Sequence, residues 1–140
     1  MKRYLLDTAL VAAFLHGREK AVNFITPLMK KQEVATSILV YAEVTEYLKG
    51  LPVKQYKAFH TQLVLLLQEI TPYPLTYPIL DRYAMIRRHL RPPYGKGLIG
   101  DIDTLIAATA VDRNLTLLTI DTDFQRVPQL KVEIINLKAA

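Results

Sequence analysis

Residues 99–124, IGDIDTLIAATAVDRNLTLLTIDTDF, join an acid-rich helix start to a strand that ends in further acids. The run from Leu105 to Val111 is apolar on nearly all sides, which predicts a helix buried over most of its surface. Asn114 suits a left-handed residue that ends this helix, and a short strand is expected at 115–119. In a helix-covered parallel sheet, such a helix start and strand end meet at the carboxyl edge of the strands, where ligands bind. The stretch therefore predicts an α/β fold with an acidic site at that edge.

The rest of the chain alternates short apolar strands with helical segments. Strands are expected at 3–7, 33–36, 69–72 and 130–137, and helices at 9–14, 18–31, 38–49, 52–68 and 78–90. This alternation predicts a parallel sheet with helices on both of its faces.

Three local features are expected from capping preferences and apolar spacing. Thr8 and Ser37 suit the N-caps of the first and third helices, and Asp101 suits the N-cap of the helix that carries Asp103. The third helix is expected to turn these side chains toward the core: Ile38, Leu39, Ala42, Thr45 and Leu48.

Length and composition limit the class of protein. The 140 residues are 51% apolar and 22% charged, which predicts one globular domain over 1–140. The absence of cysteine excludes disulfides, thiolate nucleophiles and cysteine-bound zinc. Asp7 interrupts an N-terminus that otherwise imitates a signal peptide, and the apolar run at 63–67 is too short to span a bilayer. We expect a cytoplasmic protein without a membrane segment.

Charge is distributed unevenly along the chain. Eighteen Lys and Arg residues against thirteen Asp and Glu residues give a net charge of +5, while several acids are concentrated in the clusters above. An acidic pocket within a basic surface suits a polyanion held by its phosphates while metal ions act on one of them. A charge pattern that serves solubility alone is an equally good interpretation of the composition.

Four acids, Asp7, Glu43, Asp103 and Asp121, each fall at a predicted strand end or helix start. Each also has a simpler interpretation: a helix cap, a solvated helix residue, a first-turn acid favoured by the helix dipole, and a turn residue. Glu46 is the fallback for Glu43. Carboxylates gathered at one edge repel one another, and a bound divalent cation is the usual reason for tolerating that repulsion.

Other chemistries find little support in the sequence. Asp121 and Asp123 after a strand resemble the opening of a haloacid dehalogenase phosphatase, but Gln125 stands where that motif requires Thr or Val. Neither a phosphate-binding Gly-rich loop nor a Gly-x-Ser-x-Gly elbow is present, and the three histidines lie apart from the acids. Four tyrosines are able to stack on nucleobases, although packing or an interface is the simpler interpretation: Tyr73, Tyr77, Tyr83 and Tyr94.

Several motifs together resemble the PIN-domain ribonucleases of the VapC toxin type. The matching stretches are LLDT at 5–8, TSILVYAEV at 36–44, IGDIDTLIAATA at 99–110 and LLTIDTDFQRVPQLKV at 117–132. They cover nearly the whole chain in the family's order. The resemblance implies an α/β/α sandwich around a parallel sheet of about five strands, metal-dependent cleavage of RNA, a VapB-type antitoxin and a homodimer.

The resemblance also implies roles for particular residues. By position, Asp7, Glu43, Asp103 and Asp121 match the family's four acids, Asp101 matches its variable additional aspartate, and Ser37 and Thr119 match its accompanying hydroxyl residues. Relatives often carry Asn at the position of Asp121.

The resulting hypothesis is hydrolysis assisted by Mg²⁺ or Mn²⁺. Asp7 and Asp103 would hold the principal ion, and Glu43 and Asp121 would hold a second ion or orient water. Basic residues before the acidic stretch would hold the RNA, or would form a solvated helix face: Arg87, Arg88, Arg91 and Lys96. The alternative functions are a PIN-like module that binds RNA or protein without cleavage and, more distantly, a phosphoacceptor domain of the receiver type.

Overall fold

The structure, a computed structural model, describes residues 1–138 and contains a five-stranded parallel sheet flanked by helices. The strands are β1 (Tyr4–Leu6), β2 (Val34–Ser37), β3 (Thr71–Tyr73), β4 (Thr116–Thr119) and β5 (Val132–Ile134), in the spatial order β3-β2-β1-β4-β5. The helices are α1 (Thr8–Leu15), α2 (Glu19–Lys30), α3 (Ile38–Leu48), α4 (Val53–Glu69), α5 (Tyr77–Leu90) and α6 (Asp101–Arg113), followed by a 3₁₀ helix (Thr122–Arg126). The predicted α/β/α sandwich is confirmed.

The chain direction across the sheet explains the three layers. From β1 the chain moves outward to β2 and β3 through α1 to α4, and it then returns through α5 and α6 to β4 on the other side of β1. Right-handed crossovers in opposite directions place the two helix groups on opposite faces. Accordingly, α1 packs against α2, α3 and α4, while α5 packs along α6. The strand order reverses between β1 and β4, whose carboxyl ends flank the crevice where such sheets bind ligands.

The core lies on both faces of the central strands. Leu5 and Leu6 of β1 and Leu117 and Leu118 of β4 are buried, as expected for strands covered on both sides. Helix α6 is buried along 106–110, which confirms the prediction from its apolar run. Asn114 ends α6 in the left-handed conformation, with φ 56° and ψ 46°, as predicted.

The predicted core face of α3 is wrong at Ile38 and Ala42, is half-buried at Leu39 and Thr45, and is confirmed at Leu48. The helix buries Val40, Val44 and Leu48, whereas Ile38 is 42% exposed and Ala42 is exposed. Apolar residues occur on two stripes of this helix, and a stripe at spacing i, i+4, i+8 faces the core as readily as the predicted one. Periodicity alone does not choose between them.

Two predicted caps are also wrong. Asp7 rather than Thr8 caps α1, because its Oδ1 accepts a hydrogen bond from the Leu10 amide at 3.0 Å. Gly100 rather than Asp101 precedes α6, and Asp101 already belongs to its first turn. Ser37 caps α3 as predicted, with its Oγ accepting from the Leu39 amide at 3.1 Å.

The last strand is shorter than the predicted stretch at 130–137, since β5 covers only three residues. Among residues 1–138, no helix combines the length and the apolar character needed to cross a membrane.

Candidate active site

Asp7 lies at the centre of the crevice between β1 and β4. The register pairs Leu6 with Leu118, so the next residues, Asp7 and Thr119, lie side by side at the carboxyl edge. The Thr119 hydroxyl donates a hydrogen bond to Asp7 Oδ2, and the Leu10 amide donates to Oδ1. Asp7 is only 4% exposed, so these bonds hold its carboxylate in one orientation. It is a helix cap and remains a candidate ligand, because each carboxylate oxygen has a second lone pair.

Glu43 reaches the same edge from α3. Ser37 ends β2 and begins α3, and this connection places Glu43 in the second turn of the helix. The Thr8 hydroxyl, at the start of α1, donates a hydrogen bond to Glu43 Oε1. Glu43 is half-buried whereas Glu46 is exposed, which distinguishes Glu43 from the fallback residue. Sequence reasoning missed this role of Thr8, whose only signal was its place beside Asp7 in the LLDT stretch.

Asp103 and Asp101 lie in the first turn of α6 but have different surroundings. Asp101 accepts from Arg87 at 2.6 Å and from the Tyr83 hydroxyl at 3.3 Å, and its side chain is 70% exposed. Asp103 is half-buried and feels the negative charges of neighbouring acids, Glu43 among them. The structure therefore brings Asp103 into the acidic cluster and places Asp101 in an ion pair beside it.

Asp121 joins the cluster from the turn after β4. Its amide donates to Thr119 Oγ1 at 3.1 Å, so Thr119 contacts both Asp7 and Asp121. Asp121 Oδ1 accepts a hydrogen bond from the Asp123 amide at 2.8 Å, and through this bond Asp121 caps the 3₁₀ helix. Asp123 adds a further negative charge near Asp103, a contribution that its position in the sequence did not indicate.

Burial and mutual repulsion disfavour ionisation of two of these acids. The pKa of Asp7 is raised from 3.8 to about 6, mainly by burial; the hydrogen bonds from Thr119 and Leu10 oppose the rise, and the charges of Asp103 and Asp121 contribute to it. The pKa of Asp103 is also raised, first by burial and then by the charges of Glu43, Asp121 and Asp123. The cluster therefore concentrates negative charge where the protein environment penalises it.

A hard divalent cation suits this donor set. All of the converging groups are carboxylate oxygens, the ligand type that Mg²⁺ and Mn²⁺ prefer, and a cation would relieve their repulsion. Within the described 1–138, no three acidic or histidine side chains already surround one common point. The carboxylates thus form a loose cluster and not a closed cage.

The predicted basic residues differ in their availability. Arg87 is engaged by Asp101, and the Arg88 guanidinium lies 5.7 Å from the Tyr94 ring centroid. Arg91 and Lys96 are exposed in the connection between α5 and α6. Within residues 1–138, Arg88, Arg91 and Lys96 form no ion pair, so these three and not Arg87 are available to meet a polyanion.

Comparisons with known proteins agree with this architecture. The sequence model of the PIN domain family matches residues 4–130. A comparison with curated proteins found no match. Among solved structures, VapBC2 from Rickettsia felis bound to a promoter DNA fragment has 24% identity and a TM-score of 0.83, covering 95% of this chain and 98% of that chain.

Two further structures give the same result. FitAcB from Neisseria gonorrhoeae has 27% identity and a TM-score of 0.80, covering 92% of this chain and 95% of that chain. VapBC-5 from Mycobacterium tuberculosis, a member of the VapBC family of toxin-antitoxin systems, has 17% identity and a TM-score of 0.68, covering 96% and 100%. Because the family's sequence model spans most of the chain and the fold matches over nearly its full length, the chain belongs to the PIN domain family, with VapC-type toxins as structural relatives.

Proposed function

We propose that the chain is a metal-dependent endoribonuclease, the toxin of a type II toxin–antitoxin pair, which hydrolyses RNA phosphodiester bonds. The observation that carries the proposal is the convergence of Asp7, Glu43, Asp103 and Asp121 at the crevice between β1 and β4. Membership of the PIN domain family and the VapBC complexes among its structural relatives support it.

Asp7 and Asp103 would hold the principal Mg²⁺ or Mn²⁺, and Glu43 and Asp121 would hold a second ion or orient water. When bound, the metal would polarise the phosphate and lower the pKa of its bound water. The protein's own contribution is orientation, because Thr119 holds the Asp7 carboxylate and Thr8 holds that of Glu43.

Exposed cations near this edge would hold the RNA backbone. Arg88, Arg91 and Lys96 lie at the end of α5 and in the connection that follows it. Arg87 instead holds Asp101 and so contributes to the start of α6.

A VapB-type antitoxin is the proposed protein partner. An apolar groove of about 280 Å³ between α1, α2 and α4 suits the apolar face of a partner segment; its lining includes Phe14, Leu15, Met29, Leu65 and Leu66. A homodimer is also proposed, and exposed apolar residues of α5, namely Tyr77, Leu80 and Met85, support it. Light scattering of the purified chain, alone and with its antitoxin, measures both associations.

Cleavage of a labelled pool of RNAs tests the proposed activity. Protein stripped with a chelator should leave the pool intact, and Mg²⁺ or Mn²⁺ should restore cleavage. A folded protein that binds metal and RNA but cleaves nothing in the pool would contradict the proposal and favour a binding module.

Glu43 and Glu46 offer a matched pair of substitutions on one helix. Glu43→Gln should lower the cleavage rate by about 10- to 100-fold, because it removes one of the converging carboxylates and weakens metal binding. Glu46→Gln, at an exposed position, should cleave as the wild type does. Initial rates at several Mn²⁺ concentrations measure the difference, and equal losses in both variants would argue against the assignment of Glu43.

A further inference from the structure

A basic groove lies between the end of α5 and the 3₁₀ helix, and of its lining residues the proposed function uses only Lys96. It has a volume of about 460 Å³ and is lined by His89, Leu90, Tyr94, Gly95, Lys96, Gln125, Arg126 and Pro128. We propose that this groove is a nucleotide subsite in which Tyr94 stacks on a base of single-stranded RNA while Lys96 and Arg126 contact its phosphates. The inference rests on the proposed ribonuclease function and names its substrate class.

The groove is built by a loop packed tightly on the end of α5. The Gly97 amide donates to the Leu90 carbonyl at 2.8 Å, and the Gly95 amide donates to the Arg91 carbonyl at 3.1 Å. A Cβ at Gly95 would lie 2.2 Å from the His89 carbonyl oxygen, so only glycine permits this approach. The subsite is therefore already shaped in the structure, which reduces the entropy lost on binding.

The Tyr94 ring is an aromatic surface with basic side chains around it. Arg88 lies over one face of its ring, and the residue is 74% exposed, so the ring keeps open surface for a base. Stacking accepts any base, because every base has a π-face. A base within a duplex is already stacked and paired, which favours single-stranded RNA as the ligand.

Arg126 connects the groove to the acidic cluster. Its Nη1 donates to the Gly97 carbonyl at 3.0 Å, and its Nη2 lies 4.0 Å from Asp123 Oδ1. Asp123 in turn donates its amide to Asp121, one of the four site acids. A strand that stacks on Tyr94 and passes Arg126 is thus directed toward the carboxylates.

The charge of the groove also favours a polyanion. Its described lining includes Lys96, Arg126 and His89 and contains no acidic residue. This contrasts with the apolar groove between α1, α2 and α4, which suits a protein segment. The two surfaces therefore differ in the class of partner that they fit.

Binding of a short fluorescent single-stranded RNA, measured by anisotropy in chelator so that no cleavage occurs, tests the subsite. Tyr94→Leu should raise the Kd on the order of tenfold, and Tyr94→Phe should bind as the wild type does. Tyr47→Leu is the matched control, because Tyr47 is 56% exposed near the end of α3 and does not line the groove. A duplex of the same sequence should be insensitive to Tyr94→Leu.

The salt dependence separates stacking from phosphate contact. Lys96→Ala should reduce the slope of log K against log salt by about 0.7, the value for one phosphate contact to a single strand, whereas Tyr94→Leu should leave the slope unchanged. Lys54→Ala, at an exposed position of α4, controls for loss of net charge.

The results distinguish the subsite from the activity on which it rests. If the wild type cleaves RNA with metal but Tyr94→Leu binds RNA as tightly as the wild type, or Tyr47→Leu loses as much affinity as Tyr94→Leu, only the subsite proposal is overturned. A wild type that neither binds nor cleaves RNA overturns both proposals. If the groove variants impair antitoxin binding and leave RNA binding unchanged, the groove is a protein interface and the subsite is again overturned.

Discussion

Asp103→Asn should abolish RNA cleavage, whereas Asp101→Asn should leave it near the wild-type rate. Both residues lie in the first turn of α6, so the pair compares two carboxylates on one helical turn. Asp103 faces the charges of Glu43, Asp121 and Asp123, while Asp101 is paired with Arg87. Loss of several kcal/mol of metal-dependent stabilisation corresponds to about a thousandfold lower rate at 1.36 kcal/mol per tenfold.

The fold should survive both substitutions. Asparagine at position 103 preserves the side-chain shape and removes a charge that burial and three neighbouring acids disfavour. The ion pair of Asp101 is largely exposed, and such pairs contribute little to stability. Initial rates, circular dichroism and Mn²⁺ titration should be measured together. Full cleavage by Asp103→Asn, or an equal loss in Asp101→Asn, would contradict the proposed division of roles.

The sheet was predictable because its signals are local. The apolar run of α6, the helix stop at Asn114 and the alternation of strands with helices are visible within short windows of sequence. The handedness of crossovers then leaves few arrangements for five parallel strands. The core stripe of α3 was not predictable in the same way, because its choice between two apolar faces depends on the neighbours that pack against it.

The candidate site likewise contains features that local sequence predicts and features that it does not. The acids at strand ends and helix starts could be placed at one edge because a parallel sheet brings such ends together. The bonds from Thr8 to Glu43 and from Thr119 to Asp7 join residues 35 and 112 positions apart, and no local pattern predicts them. The same holds for the hydrogen bond from Arg126 to Gly97, which shapes the groove and was not anticipated from the sequence.

Asp7→Asn should remove cleavage and, in metal-free neutral buffer, increase the free energy of unfolding. Burial is the main reason that the pKa of Asp7 rises from 3.8 to about 6. The folded protein therefore binds this proton more tightly than the unfolded chain does. The resulting stabilisation is fully present below about pH 3.8 and is lost as the pH rises through about 6.

The advantage of asparagine should therefore depend on pH. It should be small near pH 4, where Asp7 is protonated in the folded protein and only partly ionised in the unfolded chain, and should grow to at most about 3 kcal/mol at pH 7, at 1.36 kcal/mol per pKa unit. Asparagine keeps an oxygen that can accept from the Leu10 amide, so the N-cap of α1 is preserved.

Urea unfolding of both proteins from pH 4 to pH 7.5, with chelator present, measures this difference. Asp101→Asn serves as the control and should show little pH-dependent gain, because its carboxylate is largely exposed. Adding Mn²⁺ at neutral pH should stabilise the wild type more than Asp7→Asn, since only the wild type supplies this carboxylate to the ion. A difference between wild type and Asp7→Asn that does not change with pH would show that burial does not penalise the Asp7 carboxylate. The electrostatic reason for expecting a cation beside Asp7 would then be lost.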